Sequence, residues 1–445
     1  MRLAKLFKDR SKIITAIFIA ALLFRIIFLA GVSIAFKDSK ALNEDAEYGM
    51  TARSLIMGAG YNAPILEMTG KDEPPKETAN FRPTANQLPF YPLVLAAVYS
   101  ISDAPLSFWV VRFLQAIFSS VTCIIIYLIA MKLFDQRAAI IAGILSVVYL
   151  SFIFFTARIV PETFLTFWLS LSVLHLLILR DAPSPGNQII CGILLGITLL
   201  NSNVIGPVIP FIGIWIILLA GTWKENVKRT LLVMAVALLV VSPWLARNYQ
   251  AFNEFPLMKT TAGLNFWLGN NPSATGTFFL PSSEKMDSIL PATFYSDFKL
   301  SETEQDKKLY DEAMTYVKQN PMHFARLFLK KLYYFTWFPP DNLVSKEVRF
   351  YNKLFKIPYG FILAGCTLGI ILFLKRNARD TFLLGAIIIS FAVLYSVFIV
   401  GHARYRMPIE PYIILFASYA ISSFFGLAQS YGKNRRYATL YRSRG

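Results

Sequence analysis

The chain has 445 residues, 55% of them apolar and 16% charged, where a soluble domain carries roughly 25% charged residues. Charge-free windows at 113–131, 138–157, 163–179, 182–223, 230–246, 357–374, 381–403 and 411–432 match the ~20 apolar residues that carry a helix across a bilayer. This excludes a soluble enzyme, a disulfide scaffold and a disordered chain. The formal charge of +17 then reflects basic loops on one side of a membrane, with no nucleic acid called for.

Arg2, Lys5, Lys8, Arg10 and Lys12 open the chain. The apolar run from Ile13 to Ala35 exceeds the 7–15 residues of a signal-peptide core, so it reads as a retained first helix with its N-terminus inside. The next basic clusters are Lys132/Arg137, Lys224/Lys228/Arg229, Lys375/Arg376/Arg379 and the tail from Lys433 to Arg444. Keeping all of them cytoplasmic calls for helices near 13–35, 107–131, 138–157, 163–180, 189–203, 205–220, 230–246, 357–375, 381–400 and 409–427. The expectation is an all-α polytopic integral membrane protein of about 10–12 transmembrane helices with both termini cytoplasmic.

Two further apolar pieces, 88–100 and 323–338, are expected to lie in the interface as juxtamembrane helices. The organisation is then a tail and first helix (1–35), an external catalytic loop (36–106), helices two to seven (107–246), an external substrate-binding loop (247–356), C-terminal helices (357–430) and a basic cytoplasmic tail (431–445). No internal repeat of the kind found in many transporters is visible. Cys123, Cys191 and Cys366 lie far apart in apolar windows, and the 3 histidines lack zinc-site spacing.

The residues able to carry chemistry fall in or beside the external segments. Asn43-Glu44-Asp45-Ala46-Glu47-Tyr48 clusters carboxylates just beyond the first helix. Taken alone it is a solvated acidic loop, or a place that furnishes a general base or holds a divalent cation. It runs into Tyr48-x3-Ala52-x2-Leu55-x2-Gly58-x-Gly60-Tyr61, followed by Arg82-Pro83-Thr84-Ala85-x3-Pro89-Phe90-Tyr91-Pro92. Arg158-x2-Pro161-Glu162 places an acid at a helix start in the membrane, either for function or to meet the positive end of the helix dipole.

Pro243-Trp244-x2-Arg247-Asn248-Tyr249 leads to Gly263-x-Asn265-x-Trp267-x-Gly269-Asn270-Asn271-Pro272. Gly and Asn suit tight turns, while Asn and Trp side chains suit sugar hydroxyls and ring faces. Last comes Gly401-His402-Ala403-Arg404-Tyr405-Arg406-Met407-Pro408. Its arginines can grip a lipid phosphate with forked bonds or snorkel to headgroups. Arg25, inside the first helix, requires a polar partner in the bundle.

In this order the segments resemble the C-type polyprenyl-phosphate-sugar glycosyltransferases, the superfamily of the aminoarabinose transferase, the protein O-mannosyltransferases and the Rgt-like transferases. The first loop of that superfamily reads loosely D-E-x-x-Y-x3-A-x2-L-x2-G-x-G-Y, then P-T-A-x-x-P-P-G-Y-P. Here Asp45 stands three residues before the tyrosine and Glu44 four before, and Leu88 and Phe90 replace the Pro and Gly that flank Pro89. The R-N-Y, G-x-N-x-W-x-G-N-N-P and R-Y-R-x-P elements follow in the same order.

The resemblance implies a GT-C-like bundle with juxtamembrane helices in the first external loop. It implies a membrane glycosyltransferase that moves a sugar from a polyprenyl-phosphate donor to a hydroxyl acceptor by inverting single displacement. The acceptor would be a surface glycan, a lipid or a protein on the extracytoplasmic face of the cell membrane. Asp45 or Glu44 would be the base, with Glu162 as a second acid, and Arg404, Arg406 and Arg82 would hold the donor phosphate. Tyr48, Tyr91, Arg158, Arg247, Asn265, Trp267, Asn270, Asn271, His402 and Tyr405 would surround the substrates. No cofactor is required, although the carboxylate cluster can take a divalent cation. Neither the extra C-terminal domain of the aminoarabinose transferase nor the luminal insert of the O-mannosyltransferases is expected, so the acceptor does not carry over. The alternative is a lipid-linked glycan flippase, which would present the same arginines and acids to a lipid phosphate.

Overall fold

A computed structural model describes residues 10–35, 46–64, 81–254, 258–290, 300–344, 346–398 and 403–425. Glu44, Asp45 and His402 lie outside the described residues. The chain begins with α1 (Ser11–Ala35), α2 (Ala46–Ile56), the short strands β1 (Asn62–Pro64) and β2 (Phe81–Pro83), and α3 (Phe90–Tyr99). There follow α4 (Leu106–Leu133), α5 (Gln136–Val148), α6 (Leu150–Phe154), α7 (Glu162–Asp181), α8 (Pro185–Asn201), α9 (Ile209–Ile217) and α10 (Trp223–Phe252). The second long loop carries α11 (Ala262–Gly269), α12 (Glu302–Gln319) and α13 (Pro321–Thr336). Then come α14 (Lys346–Arg376), α15 (Ala378–Val397) and α16 (Met407–Phe425). The protein is a multi-pass, helical integral membrane protein.

Every segment expected to cross carries a helix, but the lengths differ. Among the described residues 7 helices are long and apolar enough to span: α1, α4, α7, α10, α14, α15 and α16. The pieces at 136–148, 185–201 and 203–217 are shorter. α10 and α14 turn large apolar side chains outward, among them Leu239, Ile357 and Phe361, as lipid-facing helices do. α3 and α13 occupy the two stretches assigned to juxtamembrane helices.

Glycine permits the closest helix pairing. A Cβ built on Gly192 of α8 would stand 2.6 Å from Val236 Cβ and 2.7 Å from Val233 O of α10. One on Gly196 would stand 2.6 Å from Val240 Cβ. This small-x3-small face lets the two backbones touch, the usual source of helix affinity where no hydrophobic gain exists between helices. At the end bearing the basic clusters, Lys132 bonds Asp181 at 2.6 Å and Arg180 bonds both Asp181 and Asp380. Trp215 Nε1 also donates to Asp380, at 3.3 Å.

The single helix expected over 138–157 is instead broken. α5 ends at Val148, Tyr149 is extended (φ −69°, ψ 115°) and α6 is one short turn. Residues 155–161 then run irregularly to Pro161, the N-cap of α7. Non-helical backbone at membrane depth persists only where protein groups satisfy it. α4 supplies those groups from one face: Cys123 Sγ to Ser146 O (3.3 Å), Ser119 Oγ to Phe152 O (2.9 Å), Gln115 Nε2 to Thr156 O (3.1 Å) and Arg158 O (2.8 Å), and Arg112 Nε to Ala157 O (2.9 Å). Arg25 completes the set. It is fully buried and donates to Ser119 Oγ at 2.8 Å, to Ala21 O at 2.9 Å and to Val147 O at 3.4 Å, the carbonyl at the end of α5. The break delivers Glu162 to the loop end of the bundle.

Candidate functional site

Glu162 opens α7 with its side chain 8% exposed, and Arg404 Nε lies 3.5 Å from its Oε1. Glu162 Oε2 accepts no hydrogen bond among the described residues. Arg404 leaves a short 3-10 turn, Ala403–Tyr405, and its Nη2 donates to the Tyr405 hydroxyl at 2.9 Å. Tyr405 stacks on Tyr395 of α15 at 4.6 Å and 22° and meets Phe278 of the second loop at 6.1 Å. Burial alone would lower the Arg404 pKa, but Tyr405, Glu162 and Tyr48 around it raise it well above the ordinary value. Arg404 is therefore a permanent cation, 23% exposed, with an acid and phenols fixing its direction.

The first loop is fastened to this centre through aromatics. Tyr48 of α2 meets Tyr91 of α3 edge-on at 5.3 Å, and Tyr91 packs on Phe164 of α7 at 5.9 Å. The Tyr91 hydroxyl donates to Gln115 Oε1 at 3.0 Å, and the same glutamine holds the Arg158 carbonyl. Ala52, Tyr91, Leu95, Val98, Val111, Ile159 and Phe164 are buried together beneath. The sequence-predicted Tyr48, Tyr91, Glu162, Arg404 and Tyr405 thus converge.

Other predicted residues take different places. Arg406 is 2% exposed and points into the bundle. Its Nε donates to Glu410 at 3.0 Å, its Nη1 to Trp337 O at 2.9 Å and Phe335 O at 3.2 Å, and its guanidinium lies 3.8 Å from the Tyr359 ring centroid. It therefore does not stand beside Arg404 as a second phosphate fork. The R-Y-R spacing suggests a pair, but Arg404 belongs to the turn Ala403–Tyr405 while Arg406 caps the next one, Met407–Ile409, and positions two apart at about three residues per turn face different ways.

Arg247 is likewise a fastening. Its Nη1 donates to Thr84 O at 2.8 Å and its Nη2 to Tyr61 O, beneath the Tyr61 and Trp244 rings. It ties β1 and β2 to the end of α10. Arg82, on β2 opposite Ala63, is half-buried.

The Gly-Asn-Asn segment is interior. Asn270 is 1% exposed; its Nδ2 donates to Phe266 O and Val397 O, and its Oδ1 accepts from Lys331 Nζ at 3.0 Å. Asn271 donates to Trp267 O and accepts from Ser273 N, while Trp267 is buried in the loop's own core. Asn265, half-buried, donates to Thr261 O at 2.8 Å. These side chains shape the loop: Asn270 and Asn271 are bonded to protein groups, and Trp267 packs in its core. Gly269 is required by proximity: a Cβ there would lie 1.7 Å from Phe398 O.

Sequence reasoning missed Lys331, Gln115, Glu302 and Tyr395. Lys331 of α13 is fully buried and donates to Asn270 Oδ1, Phe398 O at 2.8 Å and Val397 O at 3.2 Å. Burial pushes its pKa down to about 7. It sits at helical spacing from the buried Leu327 and Tyr334, a pattern visible in the sequence. Gln115 shares a 3.6-residue stripe with Arg112, Ser119 and Cys123. Among the described residues no three His, Cys, Asp or Glu side chains come together as a metal site.

Residues 82–246 match the family described as dolichyl-phosphate-mannose-protein mannosyltransferase. No curated protein matches the sequence. Among solved structures, the apo oligosaccharyltransferase of Archaeoglobus fulgidus overlays with a TM-score of 0.55 and 15% identity, over 96% of this chain and 52% of that one. The oligosaccharyltransferase AglB of Archaeoglobus fulgidus, solved with an inhibitory peptide and a dolichol-phosphate, gives 0.54, 15%, 97% and 52%. ArnT of Cupriavidus metallidurans bound to undecaprenyl phosphate reaches 0.37 at 13% identity over 89% of this chain and 77% of that one, too low to bear on the fold. This chain spans about half the length of the oligosaccharyltransferase. It has the membrane fold of the C-type glycosyltransferases, with a region similar to the dolichyl-phosphate-mannose-protein mannosyltransferases at residues 82–246.

Proposed function

We propose that the chain is a membrane glycosyltransferase that takes a sugar from a polyprenyl-phosphate donor and passes it to a hydroxyl acceptor on the extracytoplasmic side. The observation that carries this reading is the Glu162–Arg404 pair, largely buried beside Tyr48 and Tyr405 at the loop end, with the guanidinium partly exposed. A cation held by an acid and phenols at the edge of a bilayer suits a lipid phosphate. An enzyme of the same fold has been solved with a dolichol-phosphate, which supports a lipid-phosphate donor.

In this mechanism Arg404 binds the donor phosphate, with Arg82 as a second cation, and stabilises the charge that develops as the phosphate leaves. Asp45, or Glu44 one residue before it, takes the proton from the acceptor hydroxyl. The acceptor oxygen bonds the anomeric carbon from the face opposite the phosphate. The carbon–oxygen bond to phosphate breaks, its electron pair passes to the phosphate, and the configuration inverts. Glu162 keeps the guanidinium aimed.

The test uses the full chain in lipid nanodiscs with a panel of polyprenyl-phosphate sugars and a mixed hydroxyl-acceptor extract. Mass spectrometry follows free polyprenyl phosphate. Release by wild type and its loss in Asp45→Asn or Glu44→Gln supports the reading and picks the base. No release from any donor by folded protein, with lipid-linked glycan moving across the bilayer instead, would replace it with the flippase.

A further inference from the structure

A cavity of about 150 Å³ lies apart from Glu162 and Arg404, lined by Phe338, Pro339, Asp341, Asn352, Lys353 and Lys356. It sits between the turn after α13 and the first turns of α14. Asn352 is 3% exposed, yet neither its Nδ2 nor its Oδ1 has a hydrogen-bond partner among the described residues. A buried amide can donate twice and accept at two lone pairs. Leaving all of that unused is costly enough that such groups mark a missing partner.

Lys353 and Lys356 are exposed, and among the described residues neither forms an ion pair. Asn352 and Lys356 are four apart on a helix, and so share a face. Asp341 puts one carboxylate on the wall against the two ammonium groups, which leaves the site net positive.

The depth of the cavity identifies the ligand. The charge-free window of α14 begins at Ile357, one residue beyond Lys356. Around the same turns Phe350, Leu354, Ile357 and Phe361 are 51%, 53%, 72% and 78% exposed. A helix with outward aromatics and aliphatics below a pair of lysines places those lysines at headgroup level. The back wall is firm, since Phe338 and Tyr359 flank the buried Arg406 guanidinium at 5.0 and 3.8 Å.

We propose that this cavity binds the phosphate of an anionic lipid headgroup, held by Lys353, Lys356 and the Asn352 amide. The site stands independently of the transferase reading.

Native mass spectrometry of the intact chain tests it, using phosphatidylglycerol, phosphatidylcholine of the same acyl chains, polyprenyl phosphate and inorganic phosphate as probes. Wild type is expected to retain phosphatidylglycerol at least tenfold more tightly than Lys353→Gln/Lys356→Gln. Asn352→Leu, which removes the amide without touching charge, should also weaken retention while keeping the melting temperature. Stronger retention of polyprenyl phosphate than of phosphatidylglycerol would keep the site and name a lipid-linked phosphate as its occupant. Equal retention by the double variant, or of phosphatidylcholine by wild type, would overturn the proposal. So would displacement of lipid by millimolar inorganic phosphate, which would assign the cavity to the free anion. Unchanged binding in Asn352→Leu would reduce it to ordinary surface lysines.

Discussion

Glu302 accepts the backbone N–H of Ala85 at 2.8 Å, although 217 residues separate them. The same oxygen takes the Thr260 hydroxyl, and Thr260 N donates to Ala85 O at 3.2 Å. The start of α12 therefore clamps the Pro-Thr-Ala turn of the first loop to the irregular segment that leads into α11. Arg247 holds the neighbouring carbonyl of Thr84 from the other side. Glu302→Ala would strand the buried Ala85 N–H and leave the Thr260 hydroxyl only its 3.3 Å bond to Asn86 Oδ1, at a cost of about 1–3 kcal/mol. A lower melting temperature, with faster proteolysis near 258–262, is expected. An unchanged melting temperature would show that the clamp contributes nothing.

Arg404→Lys tests the proposed phosphate contact. Lysine keeps the charge but loses the planar fork and the contact with Glu162. The loss of one charge-assisted bond is worth about 1.5–3 kcal/mol, so the donor KM should rise about 10- to 100-fold. Glu162→Gln should raise it less, because the cation survives and only its aim is lost. Donor KM equal to wild type in both would remove the pair from the site.

Arg406 has the opposite expectation. It is paired with Glu410 inside the bundle, and removing one member leaves a buried charge. Arg406→Leu should cost about 3–5 kcal/mol, while Arg406→Leu/Glu410→Leu should be roughly neutral. Thermal unfolding of the purified chain separates the two. If the double variant is as unstable as the single, Arg406 serves through its bonds to Phe335 O and Trp337 O instead.

The helices were legible because crossing a bilayer needs length and absence of charge, and both are one-dimensional properties. The interruption at Tyr149 was not, since 138–157 is uniformly apolar and its break depends on side chains of α4. Asp45, Glu44 and His402 were singled out by motif alone, and the described residues do not include them. Of the others, Tyr48, Tyr91, Glu162, Arg404 and Tyr405 meet, whereas Asn270, Asn271 and Arg406 face inward. A motif records which side chains are needed, and a substrate and a buried carbonyl both need Asn or Arg. Direction comes only from the fold, as with Arg25, whose partners Ser119 and the Val147 carbonyl lie far away in sequence.

Lys331 offers a pH test with a definite sign. Its amine joins α13 to Asn270 and to the carbonyls that end α15. Burial lowers its pKa from 10.5 to about 7, so between these values the unfolded chain binds a proton that the folded chain has released. Stability then rises with pH across that window, by at most about 1.4 kcal/mol per unit. Below about pH 7 both states are charged and the slope vanishes. Lys331→Met removes the titration, so wild type should gain on the variant between pH 7 and 9 and run parallel to it between pH 5 and 6.5. Melting curves of the two proteins in one detergent check this. Parallel curves throughout would mean that the ammonium stays charged on its three acceptors, and that the latch is a fixed strut of the loop.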